Sequence, residues 1–238
     1  MGISDLHMHT IFSYDGTASV KAVLGRAREI GLDVIAITDH DEIRGALIAE
    51  QLASHYGIQV IPASEVTTGE GDLLALGIRK PIPAGMPLVE TLMRVGDQGG
   101  YCIIPHLMAG GVGMKSLRYG VVRKASRHPE AGKIILGIET LNATALDRES
   151  GVFADLLAHR SKISRVGNSD AHVLDAIGMG VTEFPGRTIS DLYRALVEGT
   201  TVVKKNASWS TAKIMGVWLA DYVRSAPIRL MPAVAQLY

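Results

Sequence analysis

The chain has 238 residues, 47% of them hydrophobic and 20% charged, so it is long enough to bury one sizeable core. Basic and acidic residues are equal in number, 24 each, which excludes a bulk field that would attract nucleic acid or an anionic membrane. The single cysteine, Cys102, excludes an internal disulfide and fits a reducing compartment. We therefore expect one cytoplasmic domain, and no apolar run is long enough to span a membrane.

Strands alternate with helices along the first half of the chain. Apolar runs and helical spacings predict a strand at 3–8, a helix at 19–29, strands at 34–38, 59–62, 72–78 and 101–104, and helices at 43–56 and 88–98. Ser19 is placed to cap the first helix, and Gly31 to end it. The run at 34–38 is apolar throughout, which is typical of a parallel strand buried on both faces.

The second half continues the alternation, with strands predicted at 133–138, 163–166 and 201–203 and helices at 145–159 and 191–198. The pattern favours a barrel or an open parallel sheet with helices outside. Residues 209–238 have apolar residues at near-helical spacing, and Pro227 and Pro232 are expected to break the helix. We expect this segment to pack on the barrel. A contact between copies of the chain is the main alternative, and membrane attachment ranks last.

Eight residues with metal-binding side chains lie at or just after predicted strand ends, or in the first loop. They begin with the motif DLHMH, whose two histidines at i and i+2 fall on one side of an extended chain. The complete set is His7, His9, Asp15, His40, Glu65, His106, Asp170 and His172. Chance would scatter such residues along strands, helices and loops alike. We therefore predict a shared metal centre on a barrel, since barrel enzymes carry their chemistry at strand ends.

The chemistry of these side chains indicates which metals they hold. Imidazoles mixed with carboxylates suit Mn, Zn or Fe better than Mg or Ca, which favour oxygen ligands alone. Eight candidates are too many for one tetrahedral ion, so we expect two or three divalent transition metals, with Glu65 as the natural bridge. Such ions neutralise phosphate oxygens and lower the pKa of a bound water. A metal-bridging hydroxide is therefore the expected nucleophile, and no separate side-chain base is assigned.

The ordered motifs DLHMHT with YDG, ITDHD, PASEV, IIPH, GIE and GNSDAH resemble those of the PHP (polymerase and histidinol phosphatase) family of metal-dependent phosphoesterases. The resemblance covers about residues 3–206. It implies a distorted (β/α)7 barrel over 1–206, with the metal centre at the C-terminal ends of its strands and with 207–238 as an extension. It also implies a first metal held by His7, His9, Glu65 and Asp170, a second held by Asp15, His40 and His172, and a third that shares Glu65 and adds His106.

The sequence departs from the family pattern around the third metal. Members often carry a histidine in a GHLLALG-like strand, and residues 71–77 here read GDLLALG. Asp72 would have to replace that imidazole, and Glu139 is a second possible additional ligand.

Several supporting residues have two readings each. Asp39, beside His40, either orients an imidazole or caps the following helix. A predicted basic loop after His106 is favoured to be solvated, with phosphate contact as the alternative for Arg118 and Arg123. The glycine-rich stretch 110–113 matches no complete phosphate-binding fingerprint and is expected to be a mobile loop.

We predict hydrolysis of small phosphate esters, and nucleotide-like phosphomonoesters are favoured because no insertion domain or basic groove for a long polymer is visible. Histidinol phosphate hydrolysis and 5′-3′ exonuclease action on nucleic-acid ends stay open. A degenerate module that acts as a scaffold is a different class of function, and the near-complete ligand set argues against it. C–N hydrolysis on an amidohydrolase-like barrel shares the HxH motif, but we find no candidate for a carboxylated lysine before His106.

Overall fold

The computed structural model describes residues 1–109, 115–144 and 149–230. Within these ranges the strands are β1 (Gly2–Asp5), β2 (Val34–Ile37), β3 (Gln59–Thr67), β4 (Asp72–Leu76), β5 (Tyr101–Ile104), β6 (Ile135–Asn142), β7 (Ser164–Asn168), β8 (Gly180–Phe184) and β9 (Val202–Lys205). The α-helices are α1 (Val20–Glu29), α2 (Arg44–Tyr56), α3 (Leu88–Asp97), α4 (Tyr119–Ala125), α5 (Ala131–Ile134), α6 (Glu149–Ser161), α7 (Ile189–Glu198) and α8 (Thr211–Arg229).

The strands form one sheet in the order β7-β6-β5-β4-β3-β2-β1-β8-β9. β4 runs antiparallel to both β3 and β5, and β8 runs antiparallel to both β1 and β9, whereas the other pairs are parallel. Met8, just beyond β1, forms a parallel bridge with Ala171, just beyond β7, so the sheet curls until it is nearly closed. The predicted α/β barrel is confirmed. A count of seven β/α units is not, because β4 and β8 reverse direction.

The core has an inner and an outer layer. Leu6, Ile61, Ile103 and Phe184 belong to the inner cluster, to which α7 adds apolar side chains. The outer cluster packs helices α1 to α3 against the outside of the sheet. All four residues of β2 are buried, as the continuous apolar run predicts. Apolar packing on both faces therefore fixes the strand ends that carry the candidate ligands.

Local sequence signals place the boundaries of α1 as predicted. The direction of β4 explains the unexpected position of Asp72. The Ser19 side chain accepts a hydrogen bond from the Ala22 N–H at the start of α1. Asp72 begins β4 and pairs with Thr67 at the end of β3, because the two strands are antiparallel. A residue at the start of β4 therefore lies at the same end of the barrel as residues that end the parallel strands.

The structure corrects several predicted elements. β3 extends to Thr67 and so contains Glu65, β6 begins only at Ile135 after the short helix α5, and β8 was not predicted. Helix α8 passes through Pro227 and ends at Arg229. The proline lies in the last turn, where its missing N–H removes one hydrogen bond and does not interrupt a long helix. The predicted mobile loop at 110–113, the start of the predicted helix at 145–148 and residues 231–238, with Pro232, lie outside the described residues.

Helix α8 contacts the rest of the chain through a half-buried face. Trp218 and Val217 pack against the outer core cluster, whereas Met215, Leu219 and Val223 are exposed. Two expectations stay predictions. One is the division into a barrel over 1–206 and an extension over 207–238. The other is a contact between copies of the chain through that extension. None of the described helices combines the length and the apolar composition needed to cross a bilayer.

Candidate metal centre

The two histidines after β1 are buried and converge on the same pair of carboxylates. Nε2 of His7 lies 3.1 Å from Glu65 Oε2 and 3.2 Å from Asp170 Oδ1, and Nε2 of His9 lies 3.3 Å from each of the same two oxygens. Met8 between them is fully buried in the core. Alternation along the extended chain therefore directs both imidazoles to one site, and we call His7, His9 and Asp170 the shared group.

A second set of side chains surrounds Asp15, in the loop after β1. Asp15 Oδ2 lies 3.1 Å from His172 Nε2 and 3.3 Å from His40 Nε2. The ring of His9 stacks on His172 at 4.2 Å and on His40 at 4.8 Å between centroids. Each residue of this set offers one ligand atom within 4.8 Å of all the others. We call these four residues the outer group: His9, Asp15, His40 and His172.

A third set is fully enclosed. Glu65 Oε1 lies 3.0 Å from His106 Nε2, and its other carboxylate oxygen faces His7. Ligand atoms of His7, Glu65 and His106 also lie within 4.8 Å of one another, and we call these residues the inner group. The shared group has one histidine in common with each of the other two groups. The structure thus brings together all eight predicted ligands in three adjoining clusters.

His9 offers a direct test of whether a metal fits. Its side chain is buried, yet neither ring nitrogen has a hydrogen-bond partner of proper geometry among the described residues. Buried polar atoms without partners are costly and call for an unseen ligand. A divalent cation accepts both imidazole nitrogen and carboxylate oxygen. The donor set therefore fits divalent metals at this end of the barrel.

Charges around the clusters set the protonation of the histidines. Burial would lower the pKa of His40, but the carboxylates of Glu65 and Asp15 outweigh it and raise the pKa to about 9. His9 differs, because burial and the neighbouring His172 lower its pKa to about 4. Against its burial, hydrogen bonds with His172 and His40 hold the pKa of Asp15 well below its usual range. His9 is therefore neutral and Asp15 ionised at neutral pH, the forms that ligate metals.

Two of the predicted ligands have strained backbones. His106 has φ of 28° and Asp170 has φ of 54°, in the left-handed region that residues other than glycine rarely adopt. Surrounding contacts must enforce such conformations, and they cluster at functional sites. Each residue lies two positions past the end of its strand, His106 after β5 and Asp170 after β7.

Glu139 lies behind the ligands and is engaged by four hydrogen bonds. Its Oε1 lies 3.0 Å from His7 Nδ1 and accepts from Asn168 Nδ2 at 2.8 Å. Its Oε2 accepts from the His106 N–H at 2.9 Å and from Asn142 Nδ2 at 3.1 Å. A carboxylate on one ring nitrogen leaves the other nitrogen aimed at a metal. We propose that Glu139 orients His7. This role replaces that of an additional metal ligand, which the sequence analysis considered for Glu139.

Asn168 is a supporting residue to which the sequence analysis assigned no role in the site. Its Oδ1 accepts from the Leu6 N–H at 2.9 Å while its amide donates to Glu139. It therefore ties the strand that precedes the HxH motif to the carboxylate behind His7. The feature that could have pointed to Asn168 is its position at the end of a strand, two residues before Asp170.

Asp39 and Asp72 are both buried near the clusters, with different contacts. Asp39 accepts from the N–H and the hydroxyl of Thr10, at 2.6 and 2.8 Å, so it fixes the residue after the HxH motif. The cap role is wrong, since α2 is preceded by Ile43 and has no side-chain cap. That Asp39 orients an imidazole stays a prediction. Burial and the charge of Glu65 raise the pKa of Asp72 to about 6, and it belongs to none of the three groups.

Arg118 and Arg123 are both exposed, at the N-terminal boundary and inside α4. The predicted basic loop is thus partly helical, because Tyr119–Ala125 forms about two turns of helix. Among the contacts of the described residues, neither guanidinium reaches the three groups. A phosphate-binding role for these two arginines stays a prediction.

The raised pKa of His40 leads to a prediction for metal binding. Below about pH 9 this imidazole carries a proton, which a metal must displace. Metal affinity is expected to rise with pH, roughly tenfold per unit for each proton displaced, and to level off above the raised pKa. Calorimetric titration with Mn²⁺ in buffers of different ionisation enthalpy should detect proton release at pH 7. An affinity independent of pH, with no proton released, would contradict this arrangement.

Comparison with known families decides the assignment. The PHP domain model matches residues 5–141, which is more than half of the chain. The chain belongs to the PHP family. A second model, described as PHP-associated, matches residues 153–201. The resemblance carried by the ordered motifs is thereby confirmed, and the domain is of the metal-dependent phosphoesterase class.

Individual relatives agree with this assignment. An uncharacterized protein of Methanocaldococcus jannaschii is 34% identical over 113 residues, which are 43% of this chain and 66% of the relative. A protein of Eggerthella lenta named phosphoribosyl 1,2-cyclic phosphate 1,2-diphosphodiesterase is 33% identical over 88 residues, 34% of this chain and 33% of the relative. The chain therefore matches less than two thirds of the length of either protein.

A solved structure is similar over nearly the whole chain. It is a two-domain protein of Bacteroides vulgatus that contains a predicted PHP-like metal-dependent phosphoesterase. The TM-score is 0.65 at 18% identity, and the match covers 92% of this chain and 69% of that one. At this identity the similarity establishes the fold alone, and it agrees with the barrel described above.

Proposed function

We propose that this PHP protein hydrolyses small phosphate esters, with nucleotide-like phosphomonoesters as the favoured substrates. The observation that carries the proposal is the overlap of the three donor groups, in which His7 and His9 each belong to two clusters. Overlapping ligand sets hold ions side by side, close enough for one phosphoryl group to contact more than one ion. Two or three ions of Mn, Zn or Fe fit the mixed imidazole and carboxylate donors.

Bound ions would supply positive charge for the phosphate oxygens and lower the pKa of a water molecule. The chain's own residues hold the donors in place. Glu65 contacts histidines of all three groups, with its oxygens 3.0 to 3.5 Å from His7, His9, His40 and His106. Its pKa is well below the usual range because the charges of His7 and His40 outweigh its burial. It is thus ionised at neutral pH, as a bridging carboxylate must be.

Differences in exposure indicate where a substrate enters. Three of the four side chains of the outer group are partly open to solvent, 27% for His172, 18% for Asp15 and 10% for His40, whereas His9 is buried. In the inner group the side chain of His106 is only 3% exposed and that of Glu65 1%. The phosphoryl group is therefore expected to approach from the outer group, with the inner group behind it.

Tyr14 supports the choice of nucleotide-like esters. It is 63% exposed, and its ring stacks on His40 with 4.9 Å between centroids and 18° between planes. Burial and the charge of Asp15 raise the pKa of its hydroxyl to about 12, so it stays neutral and able to donate a hydrogen bond. An exposed aromatic face beside the entry suits a planar base, because every base has a stacking face.

A substrate panel tests this proposal. With added Mn²⁺, we expect the highest kcat/KM on nucleoside monophosphates or bisphosphates, and lower values on glycerol phosphate and histidinol phosphate. Tyr14→Leu is expected to raise KM for nucleotides by roughly tenfold through lost stacking, with little change for glycerol phosphate. A ribose cyclic phosphate belongs in the panel because the Eggerthella lenta relative is named for such a diester. So does a 5′-phosphorylated oligonucleotide, for exonuclease action.

Different outcomes separate the alternatives. A preference for histidinol phosphate or for the oligonucleotide would replace the favoured substrate class and leave phosphoester hydrolysis intact. Hydrolysis of amides alone would overturn the proposal. No turnover of any ester by fully metal-loaded protein would favour a degenerate module that acts as a binding or scaffold domain.

A further inference from the structure

Helix α8 is a surface helix with few apolar contacts. Among the residues of α8 whose side chains the structure describes, only Ser225 is buried, and one long side of the helix is exposed. Such an element gains little stability from apolar burial, so its local opening costs little free energy. The directed polar contacts that it makes therefore determine where it lies. Nearly all of its polar contacts to the barrel go to one loop.

That loop, residues 13–16, carries Asp15, and we call it the Asp15 loop. Trp218 Nε1 donates a hydrogen bond to the backbone carbonyl of Asp15 at 2.8 Å. The guanidinium of Arg229 donates to the remaining three carbonyls, from Nη1 to Ser13 at 3.0 Å and to Tyr14 at 3.4 Å, and from Nη2 to Gly16. Four consecutive carbonyls of a ligand-bearing loop thus face two side chains of α8.

The two donors of α8 are themselves held in position. Arg229 Nε donates to Ser225 Oγ at 3.2 Å, and its guanidinium lies 4.6 Å from the centre of the Tyr222 ring. The Trp218 ring packs against the same tyrosine at 4.9 Å. Trp218 and Arg229 therefore present a prearranged set of donors to the Asp15 loop.

The opposite side of the Asp15 loop faces the metal centre. The Asp15 carboxylate lies between His40 and His172, and its Oδ1 accepts from Ser13 Oγ at 2.6 Å. Gly16 packs so closely that an added Cβ would lie 2.1 Å from the carbonyl oxygen of Thr10. The loop thus has backbone contacts on one side and α8 on the other. Loss of the α8 contacts would leave Asp15 as the least supported ligand of the outer group.

We propose that Trp218 and Arg229 are positioning residues that hold Asp15 in place as a ligand, so that α8 sets the metal affinity of the outer group. The inference rests on the ligand role assigned to Asp15 in the proposed function. Partners outside the ligand set orient the ligands themselves, and their loss lowers metal affinity by about 10- to 100-fold. The shared and inner groups do not include Asp15, so the loss of metal affinity is expected for one ion only.

Titration of metal-free protein with Mn²⁺ alone tests this directly. Trp218→Phe removes the indole N–H and keeps the aromatic ring, and Arg229→Met removes the guanidinium and keeps the aliphatic stem. Each is expected to weaken the binding of one ion by roughly tenfold and to leave the other ions unchanged. In an Asp15→Asn background neither change should weaken binding further, because the residue through which both act is already altered.

Trp209→Phe and Arg224→Met are matched controls. Trp209 precedes α8 and lies against Lys213, and Arg224 pairs with Asp221 on the helix itself. Both controls are expected to bind Mn²⁺ like the unaltered protein. Near-ultraviolet circular dichroism of the metal-free variants checks that the barrel is intact.

The outcomes distinguish the inference from the proposed function. If Asp15→Asn loses one ion while Trp218→Phe and Arg229→Met bind normally, positioning by α8 is wrong and the ligand role of Asp15 stands. Equal weakening of every ion, or an undiminished effect in the Asp15→Asn background, would also overturn positioning. If Asp15→Asn itself binds every ion normally, the ligand assignment fails and the inference fails with it.

Discussion

The Glu65→Gln variant is expected to lose roughly a thousandfold or more in kcat/KM on phosphate esters. The oxygens of Glu65 face histidines of all three donor groups, including His106 of the inner group. Glutamine keeps its volume, but it removes the negative charge that would bridge two cations. Metal ions supply several kcal/mol of transition-state stabilisation, and each 1.36 kcal/mol is about tenfold in rate.

Steady-state kinetics with saturating Mn²⁺ measures this loss, and metal analysis of the same samples should show fewer ions per chain. Glu198→Gln is the matched control, because Glu198 is an exposed residue at the end of α7. It should leave kcat/KM unchanged. Activity of Glu65→Gln within a few fold of the unaltered protein would rule out Glu65 as the bridge.

The His9→Ala variant is expected to lose turnover to a similar extent while the barrel stays folded. His9 belongs to both the shared and the outer group, so its removal affects two clusters at once. In the part of the chain that the structure describes, its ring nitrogens make no hydrogen bond of proper geometry that the substitution would break, although Nε2 lies 3.3 Å from an oxygen of Glu65 and of Asp170. The fold is therefore expected to lose only the packing of the ring, whereas the metal centre loses a ligand common to two sites.

Turnover, metal content and near-ultraviolet circular dichroism should be compared between His9→Ala and His55→Ala. His55 is exposed on α2, outside the clusters, and its removal should change none of the three. Loss of the native dichroism signal in His9→Ala would show instead that His9 is needed for the fold.

Much of the barrel could be predicted, because long apolar periodicities dominate it. The run at β2 and the spacing and cap of α1 are local signals, and both elements form where they were expected. The short elements had no such signal. Helix α5 has four residues and β8 has five, too few for a period to be read, and β8 forms by pairing with the distant strand β1.

The ligand positions could be predicted from the sequence for a related reason. Parallel strands place their C-terminal ends at one edge, so a ligand after each strand implies a cluster even without contact information. The contacts that support the ligands could not be predicted in this way. Glu139 reaches His7 across 132 residues of sequence and Trp218 reaches the Asp15 carbonyl across 203, so only the folded chain reveals these pairs. Nothing local in the sequence marks α8 as a partner of a ligand loop.

The count of tightly bound transition metals per chain tests the central claim most directly. Purified protein loaded with Mn²⁺, and then freed of loosely held ions, should be analysed by plasma mass spectrometry. The three adjoining donor groups predict about two or more ions per chain, because each group can hold one. Less than one ion per chain would contradict a multinuclear metal centre at this end of the barrel.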